Sequence, residues 1–147
     1  MKFRRFSLFL ILAVMALLIP SCAKMQAKKP VFKNTRWICV QKIFVADAGM
    51  MTQTYEMEFV SDKECVWTDK WVLPAHPAMY MNPDGTVDRI PESGSESVSH
   101  AAWRYRRGEL TLQFEDGFSR VLRYKEDHLT CPGLLGEEEM VFVQVYD

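Results

Sequence analysis

From Asn34 onward the chain repeats with a period of two. Tyr55, Met57 and Phe59 alternate with Thr54, Glu56 and Glu58, and Trp103 and Tyr105 alternate with Arg104 and Arg106. Leu110, Leu112 and Phe114 alternate in the same way with Thr111, Gln113 and Glu115. Successive side chains of a strand point to opposite faces, so this period describes antiparallel strands with one face in a core and the other in water. Arg107-Gly108 and Asp116-Gly117 stand between such runs, where two-residue hairpin turns demand positive φ. Residues 101–125 therefore predict a three-stranded meander. Further strands are predicted at 36–45, 52–60, 64–72, 128–131 and 139–146, with turns at Asp47-Ala48-Gly49 and Ser61-Asp62-Lys63. No segment of this region carries the 3.6-residue period of an amphipathic helix, and there is no internal repeat. The expected fold is all-β: an antiparallel meander β-barrel of about 8–10 short strands, since closure removes the unpaired edges of so many hairpins.

One stretch breaks the pattern. Residues 74–99 contain Pro74, Pro77, Pro83 and Pro91, followed by the polar run Glu92-Ser93-Gly94-Ser95-Glu96-Ser97. Asn82-Pro83-Asp84-Gly85 is a turn signal with a mechanism, because Pro presets φ and Gly supplies a left-handed residue. It predicts a small protruding hairpin between 79–81 and 86–90. Long excursions of this kind on a rigid scaffold commonly carry function.

The N-terminus belongs to a different world. Lys2, Arg4 and Arg5 precede an apolar run from Phe6 to Ile19 interrupted only by Ser7. That run is shorter than the roughly 17–25 residues of a membrane span, but it suits the core of a secretory signal. Leu18-Ile19-Pro20-Ser21-Cys22 then resembles the lipobox of bacterial lipoproteins, with Pro20 where Ala or Ser is more usual. The resemblance implies a signal peptide over 1–21, a lipidated Cys22 with a tether to residue 33, and a domain over 34–147. Acyl chains such as palmitate on Cys22 would make the anchor stable without a transmembrane helix. The chain of 147 residues is formally −1, and without the three signal-peptide cations it is −4. A mildly acidic domain with scattered Arg lacks the basic footprint of nucleic-acid binding. Lys24, Lys28 and Lys29 make the start of the tether basic. The expected location is the outer membrane, with the domain facing the periplasm.

The layout also resembles the small lipocalin-like lipoproteins common in Gram-negative bacteria. In that family a Trp near the start of the first strand caps the closed end of the barrel. Asn34-Thr35-Arg36-Trp37 occupies the matching place, with Thr35 where the family usually has Gly. The resemblance implies a barrel mouth that accepts a small apolar molecule.

Reactive chemistry is sparse. His76, His100 and His128 fall in or beside loops, and no zinc-protease, nucleophile-elbow or phosphate-loop motif occurs. His128 near Cys131 has no third group to orient the base, and Glu137-Glu138-Glu139 reads as a solvated turn. His76, Met79 and Met81 would offer soft metal ligands, but the alternation around Tyr80 favours packing. No enzyme, cofactor or metal is expected. Of the thiols left after lipidation, Cys39 and Cys65 should be separated by the strand between them. Cys39 with Cys131 is the only pair the layout permits, and three free thiols are the default. The strongest signal is aromatic. Trp37, Tyr55, Trp67, Trp71, Trp103 and Tyr105 share the inward faces and are the candidate ligand-binding residues. An interior of about eight strands is wide enough either to be filled by such rings or to hold one small ligand. A second reading keeps the barrel as a scaffold and gives binding of a protein partner to the 74–99 excursion. Substituting Cys22→Ser should release the protein from the membrane fraction and leave its precursor uncleaved. Membrane fractionation with immunoblotting reads both, and unchanged association would remove the anchor.

Overall fold

A computed structural model of the chain describes residues 30–133 and 138–146. The signal segment, Cys22, the tether to residue 29 and Glu137 lie outside the described residues. The remainder is all-β. Ten strands are formed: β1 (Thr35–Val45), β2 (Gly49–Phe59), β3 (Glu64–Leu73), β4 (His76–Pro77), β5 (Arg89–Ile90), β6 (Ser93–Arg106), β7 (Glu109–Phe114), β8 (Ser119–Lys125), β9 (His128–Cys131) and β10 (Met140–Val145). Eight of them close into an antiparallel barrel in the order β1-β10-β9-β8-β7-β6-β3-β2, and β4 and β5 pair as a separate ribbon. The chain is thus a meander that leaves the barrel once, between β3 and β6.

The turns follow from residues that tolerate left-handed backbone. Arg107 and Gly108 both have positive φ, as a two-residue hairpin with the twist of its strands requires. Glu126 and Asp127 do the same without a glycine, and Asp127 accepts a hydrogen bond from the Tyr124 hydroxyl at 2.7 Å. Asp116-Gly117 departs from expectation. Only Gly117 of the two has positive φ, and Phe114 and Phe118 bracket a three-residue loop in which Gly117 N donates to Phe114 O. This is the longer hairpin class, where one turn is followed by a single left-handed residue.

The excursion is shorter than its composition implies. Ser93 to Ser99 are not loop but the first half of β6, paired in register with β3 from Leu73–Ser93 to Trp67–Ser99. Both faces of that half-strand are open to water, so its residues are Ser, Glu and Gly apart from an exposed Val98. Gly94 is there for a steric reason: a Cβ would lie 2.7 Å from the Trp71 carbonyl oxygen. The predicted turn at residues 82–85 is present, with Asn82 N donating to Thr86 O and Gly85 N to Asn82 O. The ladder, however, forms lower down, between His76–Pro77 and Arg89–Ile90, instead of at 79–81.

One end of the barrel is plugged by a residue outside the strand pattern. Asn34 adopts φ 58° and folds the preceding chain beneath the sheet, where Asn34 N donates to Phe59 O and Thr35 N to Phe32 O. Thr35 Oγ1 donates to Phe32 O and accepts from Trp37 Nε1 at 2.9 Å. Phe32, 2 % exposed, then meets the rings of Trp37, Phe59, Trp103, Tyr105 and Tyr124 at centroid distances of 5.2–6.0 Å. Above this layer Met57, Leu110, Leu112, Leu122, Leu129 and Phe142 are wholly buried. Truncating Phe32→Ala should cost about 3–5 kcal/mol, the range for a large buried ring. Urea unfolding would show it as a lower midpoint at unchanged slope.

Candidate functional site

Strands β1, β2, β3 and β6 have 10 to 14 residues, whereas β7 to β10 have four to seven. The barrel is therefore tall on one side and low on the other. At the end opposite Phe32, the inner face of the tall wall stands above the packed core and forms a shelf. The register puts Trp71 opposite Ser95, Asp69 opposite Ser97 and Trp67 opposite Ser99. The serines are exposed and too small to fill the space facing the tryptophans.

The six aromatic candidates do not form one site. Trp37, Trp103 and Tyr105 belong to the closed-end layer around Phe32, where Trp103 Nε1 donates to Ser61 O at 3.0 Å. Tyr55 and Trp67 pack on each other at 5.8 Å at the top of the core, with Phe114 and Phe142 on the far side of Trp67 at 6.0 and 5.7 Å. Trp71 alone reaches the mouth, half-buried. Side chains thus occupy the interior from Phe32 up to Trp67.

What covers Trp67 is charged. Arg120, on β8, follows the inward parity of Leu122 and Tyr124, and its guanidinium lies 4.6 Å over the Trp67 ring and 5.9 Å from Phe118. Its Nη1 approaches the Met140 sulfur at 3.7 Å, and the guanidinium also hydrogen-bonds the Cys131 thiol. Asp69 accepts a hydrogen bond from the Gln53 amide, and Gln53 is 6 % exposed. Burial pushes the Asp69 carboxyl above the ordinary carboxylate range, while Arg120 and the Gln53 amide pull it back down. Arg120 and Gln53 were legible from parity, since each continues an inward apolar row, Leu122-Tyr124 in one case and Tyr55-Met57-Phe59 in the other.

Two further features flank the mouth. β1 pairs with β10 only at Arg36–Ile38, and above that point the seam opens into a cleft of about 620 Å³ between Cys39, Gln41 and Ile43 on one side and Glu138, Glu139 and Val141 on the other. The β4–β5 hairpin carries Met79, Tyr80 and Met81 at 75 %, 63 % and 69 % exposure, so these methionines do not pack as their alternation implied. The ribbon is a two-stranded sheet separate from the barrel, with Ala78 buried at its base.

Among the described residues no group of three or more His, Cys, Asp or Glu side chains is gathered as a metal site would need. His128 and Cys131 lie three apart on β9 and so face opposite sides, His128 exposed and Cys131 buried. Cys39, Cys65 and Cys131 are free and buried. The pair Cys39 and Cys131 is separated by β10, because Cys131 sits on β9. Two strand spacings of ~4.7–4.9 Å exceed the ~7 Å limit for a disulfide.

Comparison with protein-family models, with curated proteins and with solved structures gives no match. The site rests on its own chemistry.

Burial pushes the Cys65 thiol up from 9.0 to about 12 and raises Cys39 and Cys131 as well. In the folded protein all three should resist iodoacetamide near neutral pH and react only in denaturant. The unfolded chain ionises Cys65 first, so the stability held by its protonated form is present below pH 9.0 and is lost as pH rises towards about 12. Denaturation midpoints measured across that window should fall accordingly.

Proposed function

We propose that the protein is a non-enzymatic, lipid-anchored envelope protein that binds a protein partner through the β4–β5 hairpin. The observation that carries this reading is a contrast within the hairpin. Its turn is held by a dense set of hydrogen bonds. Asn82 Nδ2 donates to Thr86 Oγ1 and to Asp88 Oδ1, both at 3.1 Å, and Asp84 Oδ1 accepts from Thr86 N at 2.9 Å and Thr86 Oγ1 at 2.7 Å. Ala78 N donates to Asp88 O at 2.7 Å, closing the base. Yet Met79, Tyr80 and Met81, the residues this framework holds in place, are left bare to water. A loop held in shape before binding loses less entropy on association, and Met and Tyr are enriched in the cores of protein interfaces.

The placement agrees with this role. The chain enters the barrel at the closed end beside Phe32, and the hairpin leaves it at the open end. The lipoprotein resemblance implies an anchor through Cys22 on the outer membrane, facing the periplasm. The alternative, a lipocalin-like carrier with a small apolar ligand deep in the barrel, has less support, because Tyr55, Trp67 and the leucines beneath them occupy that volume.

A photo-crosslinking residue placed at Tyr80 in intact cells should give one discrete adduct. The same residue at exposed Val121 on β8 should give none. Replacing Met79, Tyr80 and Met81 together by Ser should abolish a partner's binding without moving the unfolding midpoint. Absence of an adduct at Tyr80, or the same adduct from Val121, would overturn the proposal.

A further inference from the structure

The Arg120 guanidinium lies at the mouth of the barrel, and among the described residues no carboxylate forms an ion pair with it. It lies 4.6 Å from the Trp67 ring and 5.9 Å from the Phe118 ring, so two aromatic neighbours hold it in place. A guanidinium carries five donors in a fork that matches a carboxylate. The acceptors it meets here are the Met140 thioether, at 3.7 Å, and the Cys131 thiol, both weak sulfur acceptors. Asp69 is close enough for each charge to act on the other, but the two form no ion pair among the described residues. The Asp69 carboxyl is instead held by Gln53, an almost wholly buried polar side chain on the neighbouring strand β2, where it pairs with Trp71. Two opposite charges, each oriented by its own neighbours and not joined to the other, are complementary to a molecule that carries the same pair in reverse.

The surroundings define the rest of such a molecule. Ser97 faces Asp69 and Ser95 faces Trp71 across the β3–β6 ladder, and both serines are exposed, so water reaches the charges from the tall-wall side. Trp71 is half-buried one step above Asp69 and offers an apolar surface to a side chain. Below, Trp67 and Tyr55 close the floor, which excludes a long chain threading into the barrel. The space is shallow, amphipathic and charged at two points.

We propose that the mouth of the barrel binds a free α-amino acid with an aromatic or large aliphatic side chain, its carboxylate on Arg120 and its ammonium on Asp69. The Gln53 amide keeps Asp69 aimed at the ammonium, and the side chain lies against Trp71. This site is separate from the hairpin's bare tip and does not depend on the protein partner proposed above.

Titrating the full-length protein with L-phenylalanine, N-acetyl-phenylalanine and phenylalaninamide separates the two charges. The readout is the indole N–H resonances, in which Trp67 and Trp71 report on the mouth and Trp37 and Trp103 on the closed end. L-Phenylalanine should shift Trp67 and Trp71 saturably at millimolar concentration and leave Trp37 and Trp103 unmoved. Removing either ligand charge should weaken binding tenfold or more. Arg120→Met and Asp69→Asn should each do the same, with the Trp37 and Trp103 resonances serving as proof that the variants are folded. If loss of Arg120 unfolds the barrel, Arg120→Lys keeps the charge but loses the fork and should still weaken binding. No saturable shift with L-phenylalanine would overturn the proposal, as would equal binding of all three probes. Binding of N-acetyl-phenylalanine as tight as that of L-phenylalanine would overturn the role of Asp69 and with it the amino-acid class.

Discussion

Phe32 under the barrel brings together rings from β1, β2, β6 and β8, strands that are far apart along the chain. A closed sheet satisfies its backbone groups laterally, but its ends remain holes through which water would reach the core. One ring closes one of those holes, and it is placed by backbone hydrogen bonds as well as by hydrophobic contact. The left-handed Asn34 reverses the chain, and Thr35 ties Phe32 to Trp37 by accepting from one and donating to the other. The Thr35 hydroxyl provides a link that a glycine would lack. Lateral closure also depends on this corner, because β1 and β10 pair only at Arg36, Trp37 and Ile38, immediately above the plug.

The far end is built on the opposite principle. Strands of unequal length leave a tall wall with no facing wall, so its inner face cannot be apolar without exposing a large patch. Its residues are Gln53, Asp69, Ser95 and Ser97, with Trp71 among them. Arg120 makes the boundary between the two regimes. Its guanidinium covers Trp67 as a flat cation can cover a ring face while its edge remains in water. The core is thus capped at the mouth by a charged group that is itself part-exposed. The same inequality in strand length lets β3 run on into the hairpin, placing Met79 to Met81 beyond the mouth.

The strands that alternate strongly were legible to within a few residues: 36–45 against Thr35–Val45, 64–72 against Glu64–Leu73 and 128–131 against His128–Cys131. Period-two burial is a local consequence of strand geometry, so it can be read locally. The first half of β6 was not legible, because a strand with both faces in water has no alternation to show, and Ser93 to Ser99 therefore looked like loop. Met79 and Met81 misled for the converse reason: alternation marks a strand, but says nothing of whether anything lies on either face. For the site, the inward aromatics were visible from parity, whereas their division into a closed-end layer and a mouth layer depends on the stagger between strands.

By itself the sequence determined the class of structure, the direction of each side chain within its strand, and the turns where Gly, Asn or Asp permit left-handed backbone. These are properties of neighbouring residues. Only the tertiary structure decided that Phe32 is a plug, that β10 keeps Cys39 and Cys131 apart, and that Arg120 meets Trp67 across the barrel. These relations join residues up to 92 positions apart, and they are set by the order of strands and their relative shear, quantities that no local pattern encodes.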